Sequence, residues 1–152
     1  MNTTPKDQGL WNALAMFVFL AAFVAAFDWV LGGFGRHAQV LYGLTAFDIS
    51  LMALATFRLI RLVTYDKIFA FVRDAFMDER DGVLVKPKGG FRRLVAELIE
   101  CMWCTGLWAA LFVGVVYLAS PLGFFFVLIL AIAALGSFLQ NVSKAVATYI
   151  EK

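Results

Sequence analysis

Four long apolar runs, separated by shorter polar stretches, dominate the hydropathy pattern of the chain. The first run, Trp11 to Leu31, contains no charged residue before Asp28. As a helix rising about 1.5 Å per residue, it is long enough to cross about 30 Å of hydrocarbon. Two later runs, at about residues 98–119 and 122–143, are of similar length, and the uncharged pair Ser120-Pro121 separates them. We predict a transmembrane helix in each of these three runs.

The second run, which contains charged residues, has two alternative starts. A start near Ala38 would put Asp48 at the centre of the bilayer. A start near Thr45, with an end at Thr64, leaves Asp48 at the outer boundary and places Arg58 and Arg61 in the inner leaflet. Arginines can extend their head groups toward the membrane surface, so they cost less than a lone buried carboxylate. We therefore predict the later start.

The connection between the second and third runs begins with an amphipathic segment. On a helical wheel, the apolar side chains of residues 67–77 share one arc and the charged ones lie outside it. This pattern is typical of a helix that lies in the membrane interface. Residues 78–90 are polar and include Pro87, which predicts a loop. Residues 91–100 are again amphipathic and lead into the third run.

Composition supports a membrane protein. Of the 152 residues, 62 % are hydrophobic and 16 % are charged, whereas about 45–50 % apolar residues are usual in soluble domains. The mean hydropathy is +0.84. We predict an all-α polytopic protein with four transmembrane helices and one interfacial helix, forming a single membrane domain over residues 1–152. A cleaved signal peptide ending after Ala26 is the alternative for the first run, and Asp7 and the weakly basic start disfavour it.

The basic residues predict the orientation. Nine of the 13 Lys and Arg residues lie at or in the connection between the second and third runs: Arg58, Arg61, Lys67, Arg73, Arg80, Lys86, Lys88, Arg92 and Arg93. Arg36 falls in the opposite turn, beside His37. By the positive-inside rule, both termini face the cytoplasm of a bacterial inner membrane. Acids alternate with these bases, which favours contact with anionic lipid headgroups and excludes a nucleic-acid surface.

The candidate chemistry lies at the start of the third run. In one continuous helix, Glu97, Glu100, Cys101 and Cys104 would share a face. The cysteines could be small apolar residues at a helix contact or a reversible redox pair with a lowered thiol pKa. Together with Glu97 they could also hold zinc, if a fourth ligand were supplied. A permanent disulfide is excluded on the reducing cytoplasmic side.

The charged residues at the same end have a structural interpretation. Arg58 and Arg61 end the second run where Glu97 and Glu100 begin the third. We predict that at least one of these arginines pairs with one of these acids across the two helices, where desolvation is partial. Asp66 belongs to the same polar group.

Small residues mark the opposite face of the third run. Gly106, Ala110 and Gly114 are spaced by four, so they stack on one side of a helix. Such a stripe lets a neighbouring backbone approach closely. We predict helix packing at these three positions.

These motifs carry a resemblance. The spaced combination RLxRL, Asp-Lys and ECxWCTGxW resembles a bacterial and phage family of small integral membrane proteins of unknown function, some sporulation-associated in bacilli. The likeness covers about residues 48–140, and residues 11–31 look like an addition to the family core. The matching positions are Arg58, Arg61, Asp66, Lys67, Glu100, Cys101, Trp103, Cys104, Gly106 and Trp108. The resemblance implies a membrane location and no particular activity.

The sequence therefore predicts a non-enzymatic membrane protein without a cofactor. We expect a scaffold or accessory subunit, whose partners are the lipid bilayer and either further copies of itself or a larger membrane-protein complex. Two alternatives stay open. One is a thiol-redox or zinc-binding protein using Cys101 and Cys104, and the other is a phage holin-like pore former.

Overall fold

The computed structural model describes residues 6–31, 43–80 and 82–150. Arg36 and His37, in the predicted turn after the first run, lie outside these residues. The described chain is all-α apart from one small hairpin. Its helices are α1 Lys6–Leu31, α2 Ala46–Thr64, α3 Ala70–Ala75, α4 Gly90–Glu100, α5 Met102–Ala119 and α6 Pro121–Ile150. A 3-10 turn, Lys67–Phe69, precedes α3, and strands β1 Asp78–Arg80 and β2 Val83–Val85 pair antiparallel.

The core lies between α2, α5 and α6. Fully buried apolar side chains come from all three helices, and partly buried ones surround them. The central residues are Ala55, Val113, Val127 and Leu130, with Met52, Leu59, Leu62, Val116 and Tyr117 packed around them. Helix α1 lies outside this core, against α4 and α5. The bundle therefore has α2 at its centre and α1 at its edge.

In the described part of the chain, three helices are long and apolar enough to cross a membrane, which is compatible with a membrane protein. They comprise residues Gln8–Val30, Met102–Ala119 and Pro121–Ile150. Helix α2 has 19 residues but includes Asp48, Arg58 and Arg61. It is the least apolar of the long helices, although the bundle is built around it.

The start of α2 is set by a capping box. Thr45 is the N-cap, and its hydroxyl accepts a hydrogen bond from the Asp48 backbone N–H. The Asp48 carboxylate in turn accepts from the Thr45 N–H at 2.8 Å. This reciprocal pair satisfies two backbone donors that the first helical turn leaves free. The helix bounds agree with the later of the two predicted starts.

A second hydrogen bond links this end of α2 to α5. The Tyr117 hydroxyl donates to the other carboxylate oxygen of Asp48, with the two oxygens 2.5 Å apart. Asp48 is thus a capping residue and an interhelix acceptor at once. Sequence reasoning explained the position of Asp48 but missed Tyr117, which is 69 residues away.

The connection between α2 and α4 is more structured than predicted. The expected helix over residues 67–77 is a 3-10 turn followed by the six residues of α3. One nitrogen of the Arg73 guanidinium donates to the carbonyls of Val63 and Asp66, each at 2.9 Å, so it satisfies the end of α2 and folds the segment back. The predicted loop 78–90 contains the hairpin, whose turn uses Gly82 at φ 73°.

Helices α5 and α6 form a hairpin, and their backbones approach each other closely at the turn. Pro121 occupies the first position of α6, and the Ser120 hydroxyl accepts from the Gly123 N–H at 3.1 Å. A Cβ atom added to Gly123 would lie 1.7 Å from the backbone oxygen of Val116. Only glycine fits this approach. Beyond the turn, α6 runs for 30 residues, about 45 Å, and so exceeds the predicted span at residues 122–143.

Candidate functional site

The two acids and two cysteines singled out by the sequence lie on either side of the junction between α4 and α5. Helix α4 ends at Glu100, and Cys101 leaves the helical conformation with φ −84° and ψ 95°. Its N–H still donates to the carbonyl of Glu97 at 3.0 Å, and its own carbonyl accepts from Thr105 at 2.9 Å. The continuous helix on which Glu97, Glu100, Cys101 and Cys104 were expected to share a face is therefore wrong.

Side chains stabilise the break. The sulfur of Cys101 accepts a hydrogen bond from the backbone N–H of Cys104 at 3.3 Å, the position that a Ser or Thr N-cap oxygen would occupy. The Thr105 hydroxyl donates to the carbonyl of Leu98 at 2.6 Å, which satisfies an acceptor that the end of α4 leaves free. Both helix ends are thus capped by side chains from the Cys101–Thr105 segment.

The two thiols lie close together, and they are free. Cys101 is half-buried and Cys104 is exposed. A hydrogen bond from the Cys104 thiol, together with the Cys104 backbone N–H, lowers the pKa of the Cys101 thiol. The arrangement stabilises a thiolate at Cys101 and provides a second thiol beside it.

Glu97 does not join the thiols. Its carboxylate accepts from Arg93 Nε at 2.7 Å, one helical turn earlier on α4. Among residues 6–31, 43–80 and 82–150, no group of three His, Cys, Asp or Glu side chains is placed to hold a metal ion. The break at Cys101 separates Glu97 from the helix that carries Cys104, so the predicted zinc ligands are distributed over two elements.

The ion pairs differ from the predicted set. Arg58 pairs with Asp66 at 3.1 Å, and Lys86 pairs with Glu100. Neither Arg58 nor Arg61 pairs with an acid of α4 within the described part of the chain. Each acid of α4 is paired instead with a base that lies closer to it along the chain than Arg58 or Arg61 does.

A buried amide connects α1 to this cluster. Gln8 is only 1 % exposed, and its Nε2 donates to Glu97 Oε2 at 3.4 Å. Its Oε1 has no hydrogen-bond partner among the described residues. Sequence reasoning missed Gln8, although an amide just before a long apolar run was a usable signal. Two aromatic contacts reinforce the connection: Trp11 with Phe91, and Phe19 with Trp108.

Arg61 borders a pocket on the other side of the junction. Its Nε is buried without a hydrogen-bond partner in the described ranges. The pocket has a volume of about 440 Å³. Its walls come from the last two turns of α2, the residue after it and the first two residues of α5: Phe57, Ile60, Arg61, Tyr65, Met102 and Trp103.

The predicted packing stripe divides between two neighbours. Gly106 faces α2, where an added Cβ would lie 3.3 Å from Cδ1 of Ile60. Ala110 and Gly114 instead line an apolar cleft of about 480 Å³ between α1 and α5. An added Cβ at Gly114 would meet no described atom within 4 Å. Gly106 therefore permits a contact inside the bundle, and Gly114 faces open space.

Comparison with known proteins supplies a family. A family model described as a protein of unknown function (DUF1360) matches residues 51–143. The chain belongs to this family. The match begins within α2 and ends within α6, so α1 and its cleft with α5 involve residues outside it.

Two curated relatives come from Bacillus subtilis (strain 168). Sporulation protein YjcA is 38 % identical over 117 residues, covering 70 % of this chain and 97 % of the relative. UPF0713 protein YngL is 33 % identical over 96 residues, covering 60 % of this chain and 74 % of the relative. No solved structure matches the chain.

The capping geometry predicts how substitutions of Cys101 behave. We expect Cys101→Ala to lower the free energy of unfolding by about 1 kcal/mol, the usual cost of losing an N-cap acceptor. Cys101→Ser keeps an oxygen acceptor and should remain near wild type. Thermal unfolding in detergent would measure both, with Cys104→Ala as an exposed control. A serine variant that loses as much stability as the alanine variant would contradict the capping interpretation and favour chemistry specific to the thiol.

Proposed function

We propose that this protein is a non-enzymatic integral membrane protein that serves as a scaffold or accessory subunit and assembles with further copies of itself. The observation that carries the proposal is the open apolar cleft between α1 and α5, bordered by Ala110 and Gly114. The polar side chains of the candidate site support the same view, because they act mainly in helix caps and ion pairs. Neither relative's name states a reaction, and one refers to sporulation.

We infer that α2 is the fourth transmembrane helix. Its 19 residues span about 29 Å, and it packs along α5 and α6, two of the helices apolar enough to cross a membrane. Its charges lie toward its ends and two of them have partners: Asp48 with Thr45 and Tyr117, and Arg58 with Asp66. Surrounding helices and paired charges lower the cost of crossing hydrocarbon.

We further propose that both termini and the β1–β2 hairpin face the cytoplasm of a bacterial inner membrane. The Gln8–Glu97 bond places the start of α1 beside the end of α4, at the end of the bundle that carries most of the basic residues. Reporter fusions at Lys152 and at Lys88 should both report a cytoplasmic position. A periplasmic signal from Lys88 would overturn this orientation.

The proposed assembly face is the cleft between α1 and α5, where Gly114 has no described neighbour within 4 Å of an added Cβ. Small residues at Ala110 and Gly114 leave α5 without projecting side chains along part of the cleft. Helix α1 contacts α5 through Phe19, near its midpoint, and Trp108, and the cleft between the two helices is open beyond this contact. We propose that a transmembrane helix of a second copy packs here by close backbone approach.

Gly114→Leu tests this proposal without disturbing the single subunit. A leucine at Gly114 enters open space in one copy. The thermal stability of the monomer, measured with the protein highly diluted in detergent, should therefore stay near wild type. The same leucine would fill the cleft and should shift the protein toward the monomer, measured by light scattering and by cross-linking in the membrane. Gly136→Leu is the matched control, because Gly136 is an exposed glycine of α6 with no described atom within 4 Å of an added Cβ. Unchanged assembly in Gly114→Leu would show that this cleft is not the assembly face.

A further inference from the structure

Arg61 is a cation for which the described part of the chain provides no counter-charge. Its side chain forms no hydrogen bond or ion pair within residues 6–31, 43–80 and 82–150, and its Nε is buried. The neighbouring charges are already matched. Asp66 binds Arg58, and the two acids of α4 bind Arg93 and Lys86. A buried donor without an acceptor is costly, so this site favours an anion supplied from outside the chain.

The walls of the Arg61 pocket indicate what kind of anion fits. Apart from the guanidinium, the lining is apolar or aromatic, with Phe57 and Ile60 on the α2 side. Tyr65 is 59 % exposed and Trp103 is 86 % exposed at the rim. Tyrosine and tryptophan with this exposure are typical of the boundary between hydrocarbon and headgroups. A ligand with one anionic group and an apolar tail matches both parts of the pocket.

The position of the pocket adds a second electrostatic contribution. Met102 and Trp103 are the first two residues of α5, an 18-residue helix, and they form one wall. The positive end of the α5 dipole therefore lies beside the guanidinium. An arginine binds phosphate oxygens through two parallel N–H donors, which makes it the preferred side chain for this anion.

We propose that the Arg61 pocket binds the phosphate of an acidic phospholipid, with the start of an acyl chain along Phe57 and Ile60. The lipid would supply the missing acceptor for the arginine and fill the apolar wall at the same time. A free phosphate would satisfy only the first of these. The site would bind one lipid at the basic end of the bundle, between the end of α2 and the start of α5. This lipid site is separate from the proposed assembly face between α1 and α5.

Retained lipid measures the site directly. Wild-type protein in nanodiscs that contain phosphatidylglycerol and phosphatidylcholine should retain phosphatidylglycerol after transfer to detergent, detected by native mass spectrometry. Arg61→Gln should bind it about tenfold more weakly, as expected for losing a charge-assisted hydrogen bond. Lys88→Gln is the charge-matched control, because Lys88 is exposed and outside the pocket, and it should retain lipid like wild type. Equal retention in Arg61→Gln and wild type would overturn the proposal.

Two further measurements separate the sources of the phosphate and guard against misfolding. Phosphatidylglycerol should raise the thermal stability of wild type, whereas millimolar inorganic phosphate should not. Equal protection by inorganic phosphate would identify a small-anion site and overturn the lipid assignment.

If Arg61→Gln does not fold, Trp103→Ala replaces it, because Trp103 is an exposed residue at the rim and its loss affects the pocket more than the core. Unchanged lipid retention in a folded Trp103→Ala protein would then count against the proposal.

Discussion

Gly123→Ala is expected to destabilise the protein more than any other single methyl addition at a described glycine. The added Cβ would lie 1.7 Å from the backbone oxygen and 2.7 Å from the carbonyl carbon of Val116. A backbone atom cannot rotate away as a flexible side chain can, so the α5–α6 hairpin would have to open. Overpacking usually costs about 1–3 kcal/mol, and we expect a loss at or above the top of that range. Thermal unfolding in detergent would show it as a lowered Tm.

Gly136→Ala is the matched control for this prediction. It adds the same methyl group to the same helix, at a glycine where an added Cβ would meet no described atom within 4 Å. Alanine also has a higher helix propensity than glycine, so the control should be neutral or slightly stabilising. If Gly123→Ala unfolds at the same temperature as Gly136→Ala, then the turn between α5 and α6 is not as close as described.

Glu97→Ala is expected to have the second large effect, because Glu97 is the common acceptor for two elements. Its carboxylate binds Arg93 on α4 and Gln8 on α1, and Gln8 is 1 % exposed. Removing the carboxylate leaves the buried Gln8 amide and the Nε of Arg93 without acceptors, although another nitrogen of Arg93 still donates to the Lys88 carbonyl. We expect a loss of about 1–3 kcal/mol of unfolding free energy. Limited proteolysis should also show that α1 detaches more readily from the bundle.

Glu100→Ala provides the comparison for Glu97. Both acids lie on α4, and both form an ion pair, but Glu100 and its partner Lys86 are each more than 40 % exposed. Exposed pairs contribute about 0–1 kcal/mol, so Glu100→Ala should remain near wild type. A double variant that replaces both cysteines with serine should likewise cost less than Glu97→Ala. The opposite order, with the cysteine variant most damaged, would give the thiols the central structural role.

The predicted helices came from signals that are local in the chain. Apolar runs of about 20 residues predict helices from their own composition, and three of them are long and apolar enough to cross a membrane. The start of α2 could be predicted in the same way. A start near Thr45 avoids a lone carboxylate in the middle of the bilayer, and the capping box of Thr45 and Asp48 lies at that point.

The candidate site was only partly predictable. Cys101, Cys104, Glu97 and Glu100 were identified as one group, and they do lie around one junction. The helical wheel nevertheless assumed an unbroken helix. The pattern changes from amphipathic in α4 to apolar on all sides in α5, but both patterns are compatible with one continuous helix. The sulfur of Cys101 accepts the backbone N–H of Cys104 and caps α5 as a separate helix. No count of apolar positions detects such a cap.

The sequence by itself determined the all-α class, the long apolar helices and the concentration of bases at one end, because each depends on composition or on neighbours along the chain. The tertiary structure alone decided which charges pair, that Tyr117 reaches Asp48, and that Gly123 fits against Val116. These contacts join residues whose distance depends on the angle between helices. The turn at Cys101 and the tight α5–α6 hairpin set those angles, and through them the side chains that meet.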